Sequence, residues 1–426
     1  MNWLIPPEKF LSKNLTKYEL LFSCLDTDPL LNLSASTGRK PTSRPALLRS
    51  LIYKNLRSLP GLIDLIQILK ENISLAKTIG FNLHTIPNVE RLSTFLKDTP
   101  NFVLQLIRMN LVKQLIDLKQ ISGNFLANDS CPIFAKVKQN NLKTVAKERF
   151  VKTVKPKGDP DSCLGVFATF PSPGTKKIQF FWGYRNHVIT DVLSELPVSE
   201  LTKPANVHEA SLFIPHCQQL QNDFNFSVKA FIADSALDSI AIINFIALVL
   251  KAKPIIARNP RRTKGHTFRL SDKGIPICIA GFEMISRGKF RDKAQNRIRH
   301  KFICPIKASK KFAEKHPSCP WSLPQFVFGN GCITYRRVDL DESIRQSINY
   351  ESQEFKTLYN KRTSAERIFS RLLSASMQNL CVKGLQAVSN HCTIAHITVL
   401  AVAVTAVKSG NPDKIRFVKS LMPYLK

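Results

Sequence analysis

At 426 residues the chain has room for two or three domains with ample buried core, and its 44% hydrophobic content is ordinary for a globular protein. Its 62 basic against 31 acidic residues leave a net charge of +31, spread along the chain, which points to a polyanion and most simply to nucleic acid. The sequence shows no basic amphipathic helix with bulky apolar anchors, no charged-then-apolar leader and no CxxC pair among its ten cysteines; this argues against a membrane-surface role, a disulfide framework or a thiol redox motif, and fits a soluble protein in a reducing cytoplasm.

Residues 1–120 read as helical and self-contained. A basic, Pro-rich stretch from Gly38 to Pro45, with Arg39 and Lys40, is suited to lie along a phosphate backbone. Helices are predicted over 46–56 and 62–71, separated by Ser58-Leu59-Pro60-Gly61. A further short helix over 89–97 is capped by Thr85-Ile86-Pro87-Asn88 and exposes Arg91 and Lys97. This pattern fits a helix-turn-helix reader and an ordinary helical bundle equally well.

From Asn124 the period changes. Gly123 to Asp129 is a short apolar run ending in an acid, the mark of a buried strand with a carboxylate at its carboxyl end. Residues 136–157 form a strongly basic connection, read as a DNA-backbone contact. Short strands are predicted over 165–170, 176–181 and 187–190, with a Pro-Ser-Pro-Gly turn between the first two. The block Trp182 to His187 lies on the third of these. The block Lys203 to Glu209, with Asn206 and His208, falls where the next helix begins. Residues 228–234 are a second apolar run ending in an acid, Asp234, followed by an apolar helix over 240–251 and a buried strand over 254–258. About 90 residues then intervene, too many for a simple loop, so an inserted subdomain is expected. It holds Cys278, Cys304, Cys319 and Cys332, whose spacings lack the paired knuckles that mark zinc sites; four small buried hydrophobes are the preferred reading. Residues 359–373 lack Pro and Gly and read as one helix, with Tyr359, Arg362, Glu366, Phe369 and Leu373 close to one face. Residues 393–407 read as an apolar core helix, too short to span a membrane.

Asp129, Asp234 and Glu366, from two strand ends and a helix, would make a hard, all-oxygen site suited to Mg²⁺ or Mn²⁺. The order of three strands, an acid-tipped fourth, a helix and a fifth strand is that of the ribonuclease-H-like fold. The expected architecture is α/β: a mixed five-stranded sheet with flanking helices, an inserted subdomain, and an all-α domain in front. The domains run 1–120 (helical, DNA-binding), 121–260 (catalytic, first part), 261–345 (basic insertion) and 346–426 (catalytic helices carrying Glu366).

With these residues in view, the chain resembles the DDE transposases of bacterial insertion sequences, in the branch with a Tyr-x-x-Arg-x-x-x-Glu signature, here Tyr359, Arg362 and Glu366. The resemblance covers nearly the whole chain. A Lys usually follows seven residues past the Glu; this chain has Leu373 there, which puts a DNA contact in doubt. The resemblance implies catalytic, metal-binding Asp129, Asp234 and Glu366 in a two-metal mechanism that cleaves transposon ends and transfers them into target DNA. It implies DNA contacts by Tyr359 and Arg362, a helix-turn-helix reading of the N-terminal segment, and His187, Asn206 and His208 close behind the acids. It further implies a homodimer on paired DNA ends in a prokaryotic, nucleoid-associated setting. A nuclease of the same fold that cuts without joining, and a domesticated DNA-binding protein without turnover, remain as alternatives.

Overall fold

The computed structural model describes residues 7–31, 42–82, 85–143, 149–172, 175–259, 269–271, 273–320, 324–338 and 343–419. The chain divides into two compact units, one of residues 1–237, 250–256 and 351–426, the other of 238–249 and 257–350.

The first unit begins with seven helices: α1 (Pro7–Ser23), α2 (Asp28–Leu31), α3 (Arg44–Leu56), α4 (Leu62–Glu71), α5 (Ile73–Ile79), α6 (Val89–Asp98) and α7 (Asn101–Asp117). Their starts follow from local chemistry. Ser43 accepts the Ala46 N–H at 3.3 Å ahead of Pro45, and Asn88 accepts the Arg91 N–H at 3.0 Å. Helix α6 buries Leu92, Phe95 and Leu96 as one stripe and leaves Arg91 and Lys97 exposed. Arg39 and Lys40 lie outside the described residues.

A mixed sheet follows: β1 (Phe125–Phe134), β2 (Cys163–Ser172), β3 (Thr175–Asp191), β4 (Leu196–Pro204), β5 (Ala230–Ala233) and β6 (Lys253–Ile256). Its path is β2-β3-β1-β5-β6, with β4 also on β3. This corrects the expected five strands in two ways. The predicted strands over 176–181 and 187–190 are one strand, β3, and β4 fills a stretch in which no strand was expected. Because β3 is 17 residues long, it holds two partners end to end: β2 pairs with its first half, β4 with its second, all antiparallel. On its other edge β1 pairs antiparallel, and β1, β5 and β6 run parallel.

Helix α8 (Glu209–Phe224) covers one face of this sheet, with Phe213 edge-on to Phe231 of β5 at 4.9 Å. The other face carries α14 (Gln353–Asn360) beside β5 and β6, α15 (Thr363–Ser374) against β1 and β3, and α16 (Leu385–Lys408) against β4. Helix α16 is the hub. It is 24 residues long, exceeding the 393–407 expected, and it also packs on α1, α3, α6 and α7. By length and composition it could cross a membrane, but nearly its whole surface is buried among these elements. Its first N–H groups are capped from the loop before β2, where Asp161 accepts from Leu385 at 2.8 Å and Asp159 from Gly384 at 3.3 Å.

A buried polar network crosses this core. Asn186 of β3 donates to Glu200 of β4 at 2.6 Å, and its amide oxygen accepts from His396 Nε2 of α16 at 2.9 Å. Thr393 donates to Glu200 at 2.6 Å, and Arg108 of α7 donates to the Val198 carbonyl at 2.6 Å. Paired in this way, buried polar groups fix one register between helices and sheet.

The second unit starts with α9 (Ile240–Asn244), which continues as a wider π-type turn over Phe245–Val249. It then contains β7 (Arg269–Leu270) paired with β8 (Pro276–Ile277), and an antiparallel sheet of β9 (Ile285–Asp292), β10 (Arg297–Ile303) and β11 (Ile333–Arg337) in the order β11-β10-β9. Short helices α10 (Pro305–Ala308), α11 (Lys310–Lys315), α12 (Pro324–Val327) and α13 (Ser343–Ser347) complete it. Asp238 is held in this unit by a two-pronged pair with Arg345 at 2.8 and 2.7 Å.

Candidate active site

In the parallel pair of β1 and β5, Asn128 lies opposite Ala233. The next residue on each is an acid. Asp234 lies just past the end of β5. Asp129 lies within β1 and not at its end as expected, because pairing with β3 carries β1 on to Phe134. The register alone sets the two carboxylates side by side. The face of β1 that carries Asp129 is the face under α15, and Glu366 sits in the first turn of that helix. The three sequence-predicted acids therefore converge.

The helix predicted over 359–373 is two helices. α14 ends at Asn360 and α15 starts at Thr363, and the turn between them uses tight i to i−3 bonds, Lys361 N–H to Leu358 and Arg362 N–H to Tyr359. The Thr363 hydroxyl takes the Asn360 carbonyl at 3.1 Å, a side-chain competitor for the backbone that holds the break open. Arg362 lies in this turn. Its guanidinium meets Glu366 at 2.6 Å and Asp129 at 3.5 Å, so one cation serves two carboxylates. Tyr359 stacks on Phe355 at 5.9 Å, on the segment leading to Arg362. Lys361 lies over the Phe125 ring at 5.4 Å.

A fourth acid, which its place at a helix start does not single out in the sequence, stands beside the three. Glu209, the first residue of α8, accepts from Asn128 at 2.5 Å and from Ser130 at 3.5 Å on the opposite face of β1. Burial, with the charges of Asp129 and Asp234, pushes its carboxyl up to about 8. Asp129 is pushed up to about 6, by burial first and then by Asp234 and Glu366; the Ser130 N–H and Arg362 pull the other way. The site is thus rich in carboxylate and short of positive charge.

Of the other expected residues, His187 is buried on β3 opposite Ser130, with neither ring nitrogen hydrogen-bonded, and burial pushes its pKa down to about 4. Asn206 and His208 are exposed on the turn entering α8, and the side chain of that block that enters the site is their neighbour Glu209. Arg371 turns away to Glu195 at the β3–β4 turn, and Leu373 is 38% exposed.

Residues 149–401, more than half of the chain, match the family described as the transposase DDE domain. The chain belongs to the DDE transposase family. It is an enzyme of DNA strand transfer, and the matched span includes Asp234 and Glu366. No curated protein matches the chain in sequence. Among solved structures, a piggyBac transposase synaptic complex with hairpin DNA is similar to this DDE transposase with a TM-score of 0.39 at 12% identity, over 97% of this chain and 79% of that one.

Divalent ions serve DDE transposases generally. Among the described residues no three His, Cys, Asp or Glu side chains lie close enough together to hold an ion as they stand. The donor set nonetheless fits one: it is all carboxylate, hard and oxygen-bearing, and a cation would relieve the raised carboxyl of Asp129 and that of Glu209 behind it. Arg362 now supplies the positive charge at Asp129 and Glu366.

Proposed function

We propose that this transposase cleaves the ends of a mobile element and joins them to target DNA at a single site of Asp129, Asp234 and Glu366, with Mg²⁺ or Mn²⁺ held by those carboxylates. The observation that carries this reading is the parallel register that sets Asp129 beside Asp234, under the helix that brings Glu366. Divalent cations bound there would activate a water and stabilise charge on the departing 3′ oxygen. The chain's own residues do the rest. Asp129, Asp234 and Glu366 fix the geometry, and Glu209 keeps Asn128 and Ser130 oriented behind Asp129. Arg362 exchanges its carboxylates for a DNA phosphate, which its planar fork binds on two prongs. Tyr359 backs it.

The sheet and its flanking helices form, on this reading, a ribonuclease-H-like catalytic core. The N-terminal helices are assigned as a helix-turn-helix-like DNA-binding segment, supported by the exposed Arg91 and Lys97 on α6. Arg39 and Lys40 are assigned to the same DNA. The domain division at 120, 260 and 345 and a homodimer on paired ends belong to the same proposal, as do the insertion-sequence origin and the prokaryotic nucleoid setting.

The test is cleavage and joining of a labelled duplex carrying the ends of the flanking element, in Mg²⁺ and in EDTA, for wild type and Glu366→Gln. Metal-dependent 3′-OH ends plus joined strands, lost in the variant by at least roughly a thousandfold with DNA binding kept, are expected on the scale of catalytic-group removals. Near-normal cleavage by Glu366→Gln would remove Glu366 from the site. Cleavage without joining would make the chain a nuclease. Tight, salt-sensitive binding with no cleavage would favour the non-catalytic reading that Leu373 raises.

A further inference from the structure

Four of the ten cysteines, Cys278, Cys304, Cys319 and Cys332, fall in the second unit, and DNA strand transfer uses none of them. The fold brings them together from four separate segments. In the β10–β11 ladder Ile303 is opposite Ile333. The residue that follows on β10 is Cys304, and the one that precedes on β11 is Cys332, so these two face each other where the ladder ends. Gly331 leaves room for this approach: a Cβ there would meet Cys304 Cβ at 2.7 Å and its Sγ at 3.1 Å, and its backbone holds φ +73°. Cys278 and Cys332 pack into one cluster with Met284 and Phe302. Cys278 heads a tight turn, its carbonyl accepting the Gly281 N–H and its own N–H donating to Phe282, each at 2.9 Å. Cys319, buried on the loop after α11, is near enough to Cys332 to act on its thiol electrostatically. Burial and the three neighbouring cysteines together push the Cys332 thiol up to about 11.

Plain hydrophobic packing accounts poorly for this convergence. Among the described residues the cluster's buried members are Cys278, Met284 and Phe302, with Ile275, Ala280, Phe282 and Cys332 partly buried against them, a small core for a sheet of three short strands with a separate hairpin. Cys278, Cys304 and Cys319 are each less than a tenth exposed, and all four thiols are free. Buried sulfurs from four segments that gather in one place are what a tetrahedral thiolate site requires.

We propose that Cys278, Cys304, Cys319 and Cys332 bind one structural Zn²⁺ as four thiolates and that this ion holds the second unit together. Each thiol releases its proton on ligation, so binding frees four protons and leaves a Cys₄ site of net charge −2 within a basic surface. As they stand, no three of these side chains are placed to hold an ion among the described residues. All four sit at turns and strand or helix ends, so closing to about 2.3 Å around the ion breaks no strand pairing. Zinc at this place owes nothing to the acids of the first unit.

The test uses the full chain, purified without chelator from zinc-supplemented cells, with zinc counted per chain and thiols titrated with a mercurial. One zinc per chain is expected, released in step with four thiols, with Co²⁺ replacing it to give intense thiolate charge-transfer bands. Cys304→Ser and Cys332→Ser should each lower the zinc content at least fivefold. If those variants do not fold, the wild-type zinc count and Co²⁺ spectrum decide alone. Less than about a tenth of a zinc per chain, Co²⁺ bands without thiolate character, or zinc retained by a folded Cys304→Ser, Cys332→Ser double variant would overturn the proposal.

Discussion

Arg362 stands between two carboxylates that the proposed chemistry wants for a cation, at 2.6 Å from Glu366 and 3.5 Å from Asp129. Removing it leaves those carboxylates uncompensated and so hungrier for metal. Arg362→Ala should bind Mn²⁺ in the absence of DNA about tenfold more tightly than wild type, roughly 1.4 kcal/mol, while losing strand cleavage; titration calorimetry reads the first and a gel the second. Unchanged or weaker Mn²⁺ binding would mean that the guanidinium does not compete for the site. Four buried histidines give a second prediction. Burial pushes His187 and His391 down to about 4, His216 to about 3 and His396 well below its usual value. Unfolded imidazoles protonate near 6.5, so these four contribute stability that is full above 6.5 and lost as pH falls below it. Asp129 and Glu209 have raised values and run the other way, losing stability as pH rises through about 6 and about 8. At about 1.4 kcal/mol per proton per pH unit, four against two leaves a net loss of about 3 kcal/mol per unit on the acid side. Urea unfolding should therefore give its highest midpoint near pH 6.5 and lower ones at pH 5 and 8, and a flat profile would contradict these burials.

At the scale of elements, α16 depends on its caps. Asp161→Ala removes the acceptor of the Leu385 N–H and should cost about 1 kcal/mol in denaturant unfolding; no change would mean that water serves equally well. How much of this architecture the sequence discloses depends on which residues carry each element. The strands that carry Asp129 and precede Asp234 are legible from their apolar runs, although β1 continues past Asp129 to Phe134 and only β5 stops at its acid; α4 and α6 are legible because breakers and an Asn cap bound them. β4 is not, since its buried positions include Ser199, Glu200 and Thr202 between two prolines, a composition that reads as loop until the partners on α16 and α7 are known. Glu209 is hidden for a similar reason: nothing local tells a helix-start charge from one that reaches across β1. The break at Lys361 and Arg362 turns on a single Thr363 hydroxyl, too small a signal to interrupt an otherwise helical pattern.

Taken as a whole, the first unit is organised about α16, which touches the N-terminal helices on one side and β4 on the other. The helical head and the sheet share one core, and the polar network of Asn186, Glu200, Thr393 and Arg108 ties them. A fragment of residues 121–426 should then lack a cooperative thermal transition, because the surface of α16 that meets α1, α3, α6 and α7 would face water. A sharp melt of that fragment by circular dichroism would show the head to be dispensable to the core.

That shared helix also sets the order in which the molecule can assemble. α16 follows in sequence the helices and strands it packs on, and its partners begin with α1 and α3, so the contacts that close the core span more than three hundred residues of sequence. Such separations make loop closure late and folding slow. The earlier helices and the rim of β4 must wait with apolar surface uncovered until it docks. Newly made chains should consequently spend seconds rather than milliseconds in a sticky, chaperone-dependent state, and the yield of active enzyme should follow chaperone supply and growth temperature more closely than the rate of synthesis.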